Sequence, residues 1–250
     1  MNSCPFSLMH PSGMHVRGVW FPCRDEGKRP AVILSHGFNG CCADLYDQAM
    51  TFAEAGIHTY VFDFRGGGER TTSDGRLSEM MTVDTECADL RLVMNYVQGL
   101  DCVDSTQLFL LGGSQGGLIS TLVTEQYPDE VAGLILWFPA LMIPEASKIR
   151  MERGITEVFG IRLSPEFDRE AAQIDPWTDM KKYTRKVLMI HGDKDPVVPL
   201  SVSEKAAGLF PDAEVVVIPG AGHGFRDAEL DEALKRSVSM IADVLEKNKN

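Results

Sequence analysis

The segment Leu108-Phe-Leu-Leu-Gly-Gly-Ser-Gln-Gly-Gly117 decides the fold of this 250-residue chain. Its first four residues are apolar, the next five have the form G-x-S-x-G, and a helical pattern follows from Leu118 to Tyr127. This order predicts a strand, a tight turn and a helix, with Ser114 in the turn and small neighbours that let the backbone fold beneath it. The bare pattern is weak in a chain with 23 glycines, so the flanking strand and helix carry the argument.

Other apolar runs rich in β-branched residues alternate with amphipathic stretches, which predicts a mostly parallel sheet with helices on both faces. An apolar stripe from Val83 to Val97 predicts a helix that ends at Gly99, and Glu229–Glu246 is the last predicted helix. Met14–Phe21 is predicted to supply antiparallel edge strands. The main strands are predicted at Ala31–Ser35, His58–Phe62, Gln107–Leu111, Gly133–Phe138, Lys186–Ile190 and Glu214–Ile218.

One stretch, residues 140–183, breaks this alternation because it is far longer than the roughly two to six residues usual between a strand and its neighbour. The chain is therefore predicted to have an α/β core, residues 1–139 and 184–250, with a small cap or lid at 140–183. The cap combines charges with large apolar side chains, which are interpreted first as cap core and second as substrate contacts: Met142, Met151, Phe159, Phe167 and Trp177.

A serine hydroxyl is a weak nucleophile, so Ser114 requires a base that a third group orients. Among the six histidines, His223 follows a predicted strand in a glycine-rich loop, where parallel sheets place their ligands. The acid is expected between nucleophile and base in chain order. Asp193 and Asp195 both follow the strand that ends at Ile190, and Asp195 is favoured because Asp193 begins the loop and is better placed to hold the turn.

Attack on a carbonyl creates an oxyanion, which needs backbone N–H donors aimed at it in advance. Gln115 follows the serine at the N-terminus of the predicted helix, so its N–H is one candidate donor, and its side chain is expected to point away. The second candidate is the N–H of Phe38, in the loop after the strand Ala31–Ser35. His36 is interpreted as a residue that orients this loop.

Composition excludes several function classes. The net charge is −12 and the 24 Lys and Arg residues are scattered, so no nucleic-acid partner is predicted. The six cysteines form no C-x-x-C pair, so they are predicted to be free thiols, with no metal site. The longest apolar run, Gly133–Ile143, is too short to span a bilayer and no secretory signal is visible, so a cytoplasmic protein is predicted.

Taken together, the motifs resemble the α/β-hydrolase superfamily over nearly the whole chain. Phe62-Asp-Phe-Arg-Gly66, Ser73-Asp-Gly75 and Gly113-Ser-Gln-Gly-Gly117 are similar to stretches of small bacterial cinnamoyl or feruloyl esterases and of their monoglyceride-lipase-like and serine-aminopeptidase-like relatives. The resemblance implies an eight-stranded, mostly parallel sheet and a cap that closes over an aromatic or acyl group. It implies no metal or organic cofactor. The motifs that carry it are His36-Gly-Phe, Asp63-Phe-Arg-Gly, Gly112-x-Ser-x-Gly116, His191-Gly-x-x-Asp195 and Gly222-His-Gly-Phe225.

The chain departs from many of these relatives at two positions, because Gly67 and Gly113 stand where they carry histidine. The loss of two imidazoles predicts a wider pocket of altered polarity. The resemblance therefore does not fix the substrate.

Three functions follow from these residues. The leading prediction is hydrolysis of a small-molecule carboxylic ester, cinnamoyl, feruloyl or short acyl, through an acyl-enzyme on Ser114. A serine aminopeptidase would use the same groups and would need an acidic site in or near the cap for the substrate ammonium. A non-catalytic binding protein is the third reading, although no catalytic part is missing. Monomer and homodimer are both left open. The cap carboxylates available to an aminopeptidase are Glu145, Glu152, Glu157 and Glu166.

Overall fold

Eight strands form one sheet in the computed structural model, which describes residues 3–248. The first two strands and the fourth pair antiparallel, and all later neighbours in the sheet pair parallel. Across the sheet the order is β1-β2-β4-β3-β5-β6-β9-β10, and β7 and β8 form a separate hairpin. The strands are β1 (Cys4–Met9), β2 (His15–Phe21), β3 (Arg29–Ser35), β4 (His58–Asp63), β5 (Val103–Gly113), β6 (Gly133–Trp137), β7 (Glu157–Val158), β8 (Ile161–Arg162), β9 (Val187–Gly192) and β10 (Ala213–Ile218).

Helices cover both faces of the sheet, as the alternation of strands and amphipathic stretches predicts. Side chains alternate along each strand, so Ile33 and Leu110 pack beneath α3 and α4, whereas Val32 and Phe109 pack beneath α1 and α8. The helices are α1 (Tyr46–Glu54), α2 (Leu77–Met80), α3 (Val83–Gln98), α4 (Gln115–Gln126), α5 (Ile143–Arg153), α6 (Phe167–Ala171), α7 (Leu200–Ala207) and α8 (Asp227–Lys247), with short 3₁₀ turns at Cys42–Leu45 and Met180–Lys182.

The mostly parallel sheet with flanking helices confirms the predicted fold class. Each of the six predicted main strands coincides with an observed one, although β5 is 11 residues long and the pattern identified only its inner part. Strand β1 lies outside the predicted edge segment. It is mostly exposed and pairs with β2 alone, so only Phe6 and Leu8 mark it by packing on the core.

The chain between β6 and β9 forms a packed insert of α5, the β7–β8 hairpin and α6. Two hydrogen bonds fasten it near the N-terminus of α3: Ser164 Oγ donates to Met81 O at 2.5 Å, and Asp84 N–H donates to Glu170 Oε1 at 2.5 Å. The insert therefore lies above the carboxyl edge of the central strands. The division into core and cap at residues 140–183 stays a prediction.

The turn between β5 and α4 requires glycine because two backbone segments touch there. A Cβ on Gly116 would overlap the carbonyl oxygens of Ser35 and His36 at the end of β3. A Cβ on Gly113 would only reach ordinary contact with the ring of Phe138, at 3.6 Å. The start of α4 is thus pressed against the loop after β3.

We expect Gly116→Ala to lower the free energy of unfolding by about 1–3 kcal/mol, since the clash is with backbone atoms that cannot rotate away. Gly113→Ala is the matched control and should change stability by less than about 1 kcal/mol. Urea unfolding of both variants measures the difference. Equal stability of the two variants would contradict the close approach of α4 to β3.

Candidate active site

Ser114 lies in the strained turn between β5 and α4. Its backbone has φ 53° and ψ −119°, a region that L-residues rarely adopt. Its N–H donates to Trp137 O at 3.0 Å, and its carbonyl oxygen accepts the N–H of Ala140 at 2.9 Å. Backbone hydrogen bonds to the end of β6 and to the residues that follow it therefore fix the turn. The Ser114 hydroxyl lies at the carboxyl edge of the sheet.

The three residues predicted as nucleophile, base and acid lie in one hydrogen-bonded row. His223 Nε2 is 3.0 Å from Ser114 Oγ, and His223 Nδ1 is 2.7 Å from Asp195 Oδ2. The ring of His223 also packs edge-on against Phe138, with ring centroids 4.7 Å apart. A base within reach of the serine, itself held by a carboxylate, is the arrangement that activates a hydroxyl for attack.

Asp195 is held on three sides. Its Oδ1 accepts the N–H groups of Val197 and Val198 at 2.8 and 2.9 Å. Burial raises the pKa of this carboxyl, yet the Val198, His223 and Val197 donors outweigh burial, so the pKa lies below its usual range. Asp195 therefore favours the anionic form that orients an imidazole.

Asp193, the alternative acid, has a different partner. Its Oδ1 accepts the N–H of Gly220 at 2.6 Å, which ties the loop after β9 to the loop after β10. Asp193 thus joins two loops, whereas the sequence predicts that it holds its own turn.

His191, the first residue of the motif His191-Gly-x-x-Asp195, is a buried neighbour of Asp195. Its Nε2 lies 2.9 Å from Val198 O and 3.4 Å from Asp195 Oδ2, and its Nδ1 lies 2.7 Å from Ser203 Oγ. Burial lowers the pKa of this imidazole, which favours the neutral ring. His191 thus packs the carboxylate loop from behind.

The two residues predicted to supply the oxyanion donors both border the cavity beside Ser114. Phe38 and Gln115 line the same cavity as Ser114, and neither N–H has an acceptor within residues 3–248. A Cβ on Gly37 would lie 3.2 Å from Ser114 Cβ, which shows how closely the loop after β3 approaches the nucleophile. Two unpaired N–H groups beside a nucleophile can bind the oxygen of a reacting carbonyl.

His36 fixes the loop that carries Phe38. Phe64 N–H donates to His36 Nε2 at 3.3 Å, so the proton lies on Nδ1, which donates to Gly37 O at 2.8 Å. Burial lowers the pKa of this ring. Both ring nitrogens are occupied, in keeping with the loop-orienting role predicted for His36.

A cavity of about 280 Å³ opens beside Ser114, between the core and the insert. Of the large cap side chains, Met142, Phe159 and Phe167 line it, whereas Met151 and Trp177 do not. Apolar side chains form nearly the whole wall, and the one charged residue is Arg150. An apolar cavity with a nucleophile at one end suits an uncharged organic group.

At the two positions where relatives carry histidine, the surroundings differ. A Cβ on Gly67 would come within 2.6 Å of Phe64 Cβ, so this position has no room for a side chain in this structure. Beside Gly113 lies the ring of Phe138, which also contacts His223. An aromatic ring thus lies beside both His223 and the residue that precedes Ser114.

Comparison with known proteins finds two family profiles that match the sequence. The profile of the serine aminopeptidase S33 family matches residues 26–167, and a profile of the α/β hydrolase fold matches residues 146–225. The chain belongs to the serine aminopeptidase S33 family of α/β hydrolases.

Relatives of this α/β hydrolase carry different names. It is 25% identical over 248 positions to a monoacylglycerol lipase of Mycolicibacterium smegmatis, covering 83% of this chain and 85% of the lipase. It is 43% identical over 253 positions to the non-heme chloroperoxidase CPO-A1 of Kitasatospora aureofaciens, covering 83% and 90%. The structure of Est1E from Butyrivibrio proteoclasticus with ferulic acid bound superposes with a TM-score of 0.83 at 26% identity, over 96% of this chain and 99% of Est1E.

Within residues 3–248 of the α/β hydrolase, no group of three or more His, Cys, Asp or Glu side chains is placed to hold a metal ion. No helix in the same range has the length and apolar character needed to cross a membrane. All six cysteines are free thiols.

A buried carboxyl behind Gln115 is a further part of the site. Gln115 Nε2 donates to Glu86 Oε2 at 2.8 Å, so the side chain points away from the cavity as expected. Burial, with smaller contributions from Asp89 and Glu170, raises the pKa of Glu86 to about 8 despite this hydrogen bond. Glu86 lies on the buried face of α3, between Val83 and Leu90. A carboxylate on this apolar stripe is the sequence signal that could have identified Glu86 as a buried acid.

The raised pKa predicts a pH-dependent stability. Folded Glu86 keeps its proton up to about pH 8, whereas the unfolded side chain releases it near pH 4.5. Because the folded state binds more protons between these values, the free energy of unfolding should fall as pH rises from 4.5 to 8. Glu86→Gln should remove this loss. Relative to wild type, its free energy of unfolding should therefore gain about 4 kcal/mol between pH 5 and pH 9.

Urea unfolding at both pH values tests this expectation. Glu26→Gln, at an exposed position, is the control and should follow the wild type. A Glu86→Gln protein with the same pH dependence as wild type would refute the buried, protonated Glu86.

Proposed function

We propose that this α/β hydrolase is a serine esterase that cleaves small carboxylic esters through an acyl-enzyme on Ser114. The observation that carries the proposal is the placement of His223 between Ser114 Oγ, at 3.0 Å, and Asp195 Oδ2, at 2.7 Å, at the mouth of an apolar cavity. The names of two comparison proteins, a monoacylglycerol lipase and Est1E with ferulic acid bound, support it.

In the proposed reaction, His223 Nε2 takes the proton of Ser114 Oγ as this oxygen attacks the ester carbon. Asp195 stabilises the imidazolium and keeps Nδ1 protonated. The proton then passes from His223 to the alcohol oxygen, the carbon–oxygen bond to the alcohol breaks, and the acyl group stays on Ser114. Water, deprotonated by His223, attacks the acyl carbon, and Ser114 leaves with the proton.

The N–H groups of Phe38 and Gln115 stabilise the negative oxygen formed in both steps. Each such donor is worth about 3–4 kcal/mol in comparable sites. The N-terminus of α4 adds a favourable dipole at the same place. His36 and Gly116 contribute by holding the loop after β3 against the serine.

The wall of the cavity favours an ester over a peptide N-terminus. An aminopeptidase needs a carboxylate for the substrate ammonium, yet Glu145, Glu152, Glu157 and Glu166 do not line the cavity. Among residues 3–248, the one charged side chain that lines the cavity is the cation Arg150, which is paired with Asp168 and offers no acceptor to an ammonium group. In the proposed enzyme, residues 140–183 form the cap that covers the acyl group.

The role of Ser114 is testable by covalent labelling. We expect a fluorophosphonate probe to label wild type and Ser239→Ala, an exposed serine on α8. Ser114→Ala should not be labelled and should lose about 10⁴-fold or more in kcat/KM for p-nitrophenyl butyrate. Activity that survives in Ser114→Ala would refute Ser114 as the nucleophile.

The choice between ester and peptide substrates requires a second comparison. Since the cavity lacks an ammonium site, kcat/KM for methyl cinnamate and p-nitrophenyl butyrate should exceed that for alanyl and leucyl p-nitroanilides by about 100-fold or more. A faster reaction with the aminoacyl anilides would favour the peptidase.

A further inference from the structure

The inward face of α5 carries an arginine. Helical spacing brings Ile143, Ala146 and Arg150 to one side, and all three line the cavity beside Ser114. The outer face of the same helix is exposed at Lys148 and Ile149. The Arg150 side chain is only 14% exposed, so its charge sits in a largely apolar wall.

The hydrogen bonds of Arg150 leave one nitrogen without a protein acceptor. Its Nε contacts both carboxylate oxygens of Asp168, at 3.0 and 3.1 Å. Its Nη2 donates to Asp168 Oδ1 at 2.6 Å and to Ser147 Oγ at 2.8 Å. Within residues 3–248, Nη1 has no acceptor, and it is not among the fully buried unpaired atoms, so it keeps accessible surface. Two N–H donors of this guanidinium are therefore free for a ligand.

The position of Arg150 along α5 gives its distance from the reaction. Ala140 N–H binds Ser114 O, and Ile143 N–H binds Ala140 O, so α5 begins beside the nucleophile. Arg150 lies seven residues further on, which is about 10 Å along the helix axis. Helical side chains lean towards the N-terminus, so the guanidinium reaches back over the cavity.

The wall between Ser114 and Arg150 is apolar. The side chains that form it include Phe38, Val158, Phe159, Leu163 and Phe167. A group that spans the cavity must therefore be apolar in its middle and needs an oxygen acceptor only at its far end. The Asp168 carboxylate next to the guanidinium would repel a second anion, which favours a neutral oxygen.

We propose that Arg150 is a specificity-determining residue whose Nη1 binds a neutral oxygen at the far end of the acyl group. The preferred substrates are then esters of acyl groups with a hydroxyl, alkoxy or keto oxygen remote from the ester, such as 4-hydroxycinnamoyl, rather than plain hydrocarbon acyl groups. This inference rests on the proposed esterase function.

The test compares two esters that differ in one oxygen. We expect wild type to favour methyl 4-hydroxycinnamate over methyl cinnamate by about tenfold or more in kcat/KM, since a hydrogen bond to a charged group is at stake. Arg150→Lys keeps the positive charge beside Asp168 but has no counterpart of Nη1. The ratio of kcat/KM for the two esters should therefore fall to about one, while hydrolysis of methyl cinnamate persists. Comparing variant with wild type cancels the electronic effect of the hydroxyl on the ester.

Two controls separate specificity from stability. Arg153→Gln, at an exposed position on the same helix, should keep the wild-type ratio. If Arg150→Lys does not fold, Arg150→Met combined with Asp168→Leu replaces the ion pair by an apolar contact and is expected to show the same loss of preference. A purely structural role of Arg150 would lower turnover of both esters equally, and that outcome overturns the proposal.

A binding measurement keeps this inference distinct from the esterase proposal. Titration calorimetry of the two methyl esters against Ser114→Ala should show about tenfold tighter binding of the 4-hydroxy ester, and Ser114→Ala with Arg150→Lys should bind both alike. If wild type hydrolyses both esters equally, the role of Arg150 is refuted but the proposed esterase function is not. Wild type that hydrolyses no ester refutes the proposed function, and the calorimetric ratio then decides whether Arg150 recognises the distal oxygen.

Discussion

The site depends on the contact between the start of α4 and the end of β3. Gly116 lies against the carbonyl oxygens of Ser35 and His36, which leaves no room for a side chain. This contact sets the strained turn at Ser114, with φ 53°, and brings the loop of Phe38 to the same place. The proposed nucleophile and the proposed oxyanion donors are therefore positioned by one backbone packing contact.

The order of strands in the sheet explains how distant parts of the chain meet. Four loops meet at the site: those after β3, β5, β9 and β10, which carry Phe38, Ser114, Asp195 and His223. The four strands are near neighbours in one half of the sheet. Parallel strands present their carboxyl ends at one edge, where α/β proteins bind ligands. Hydrogen bonds then refine the placement, as Val197 and Val198 do for Asp195.

Two carboxyl groups outside the row of Ser114, His223 and Asp195 shape the surroundings of the site by different physics. Glu86 is buried without a cation, so its proton is retained and its pKa rises to about 8. Asp168 is half-buried beside a cation and holds Arg150 through three short contacts, which fixes the guanidinium at the cavity wall. Glu86 accepts a hydrogen bond from the Gln115 side chain, and Asp168 holds a charged donor at the wall of the cavity.

The sequence by itself determined the parallel sheet and the helices, because periodic apolar residues and turn glycines act on the backbone locally. It also predicted Ser114, His223 and Asp195, since each follows a recognisable strand in the order typical of G-x-S-x-G proteins. It did not find β1, whose exposed residues carry little apolar pattern.

Only the tertiary structure decided which side chains meet. Asp193 and Asp195 share one loop, and contacts with Gly220 and His223, far along the chain, distinguish them. The pairs Glu86–Gln115 and Arg150–Asp168 join residues 29 and 18 positions apart. No local pattern encodes such contacts, because they arise when helices and loops pack around a common core.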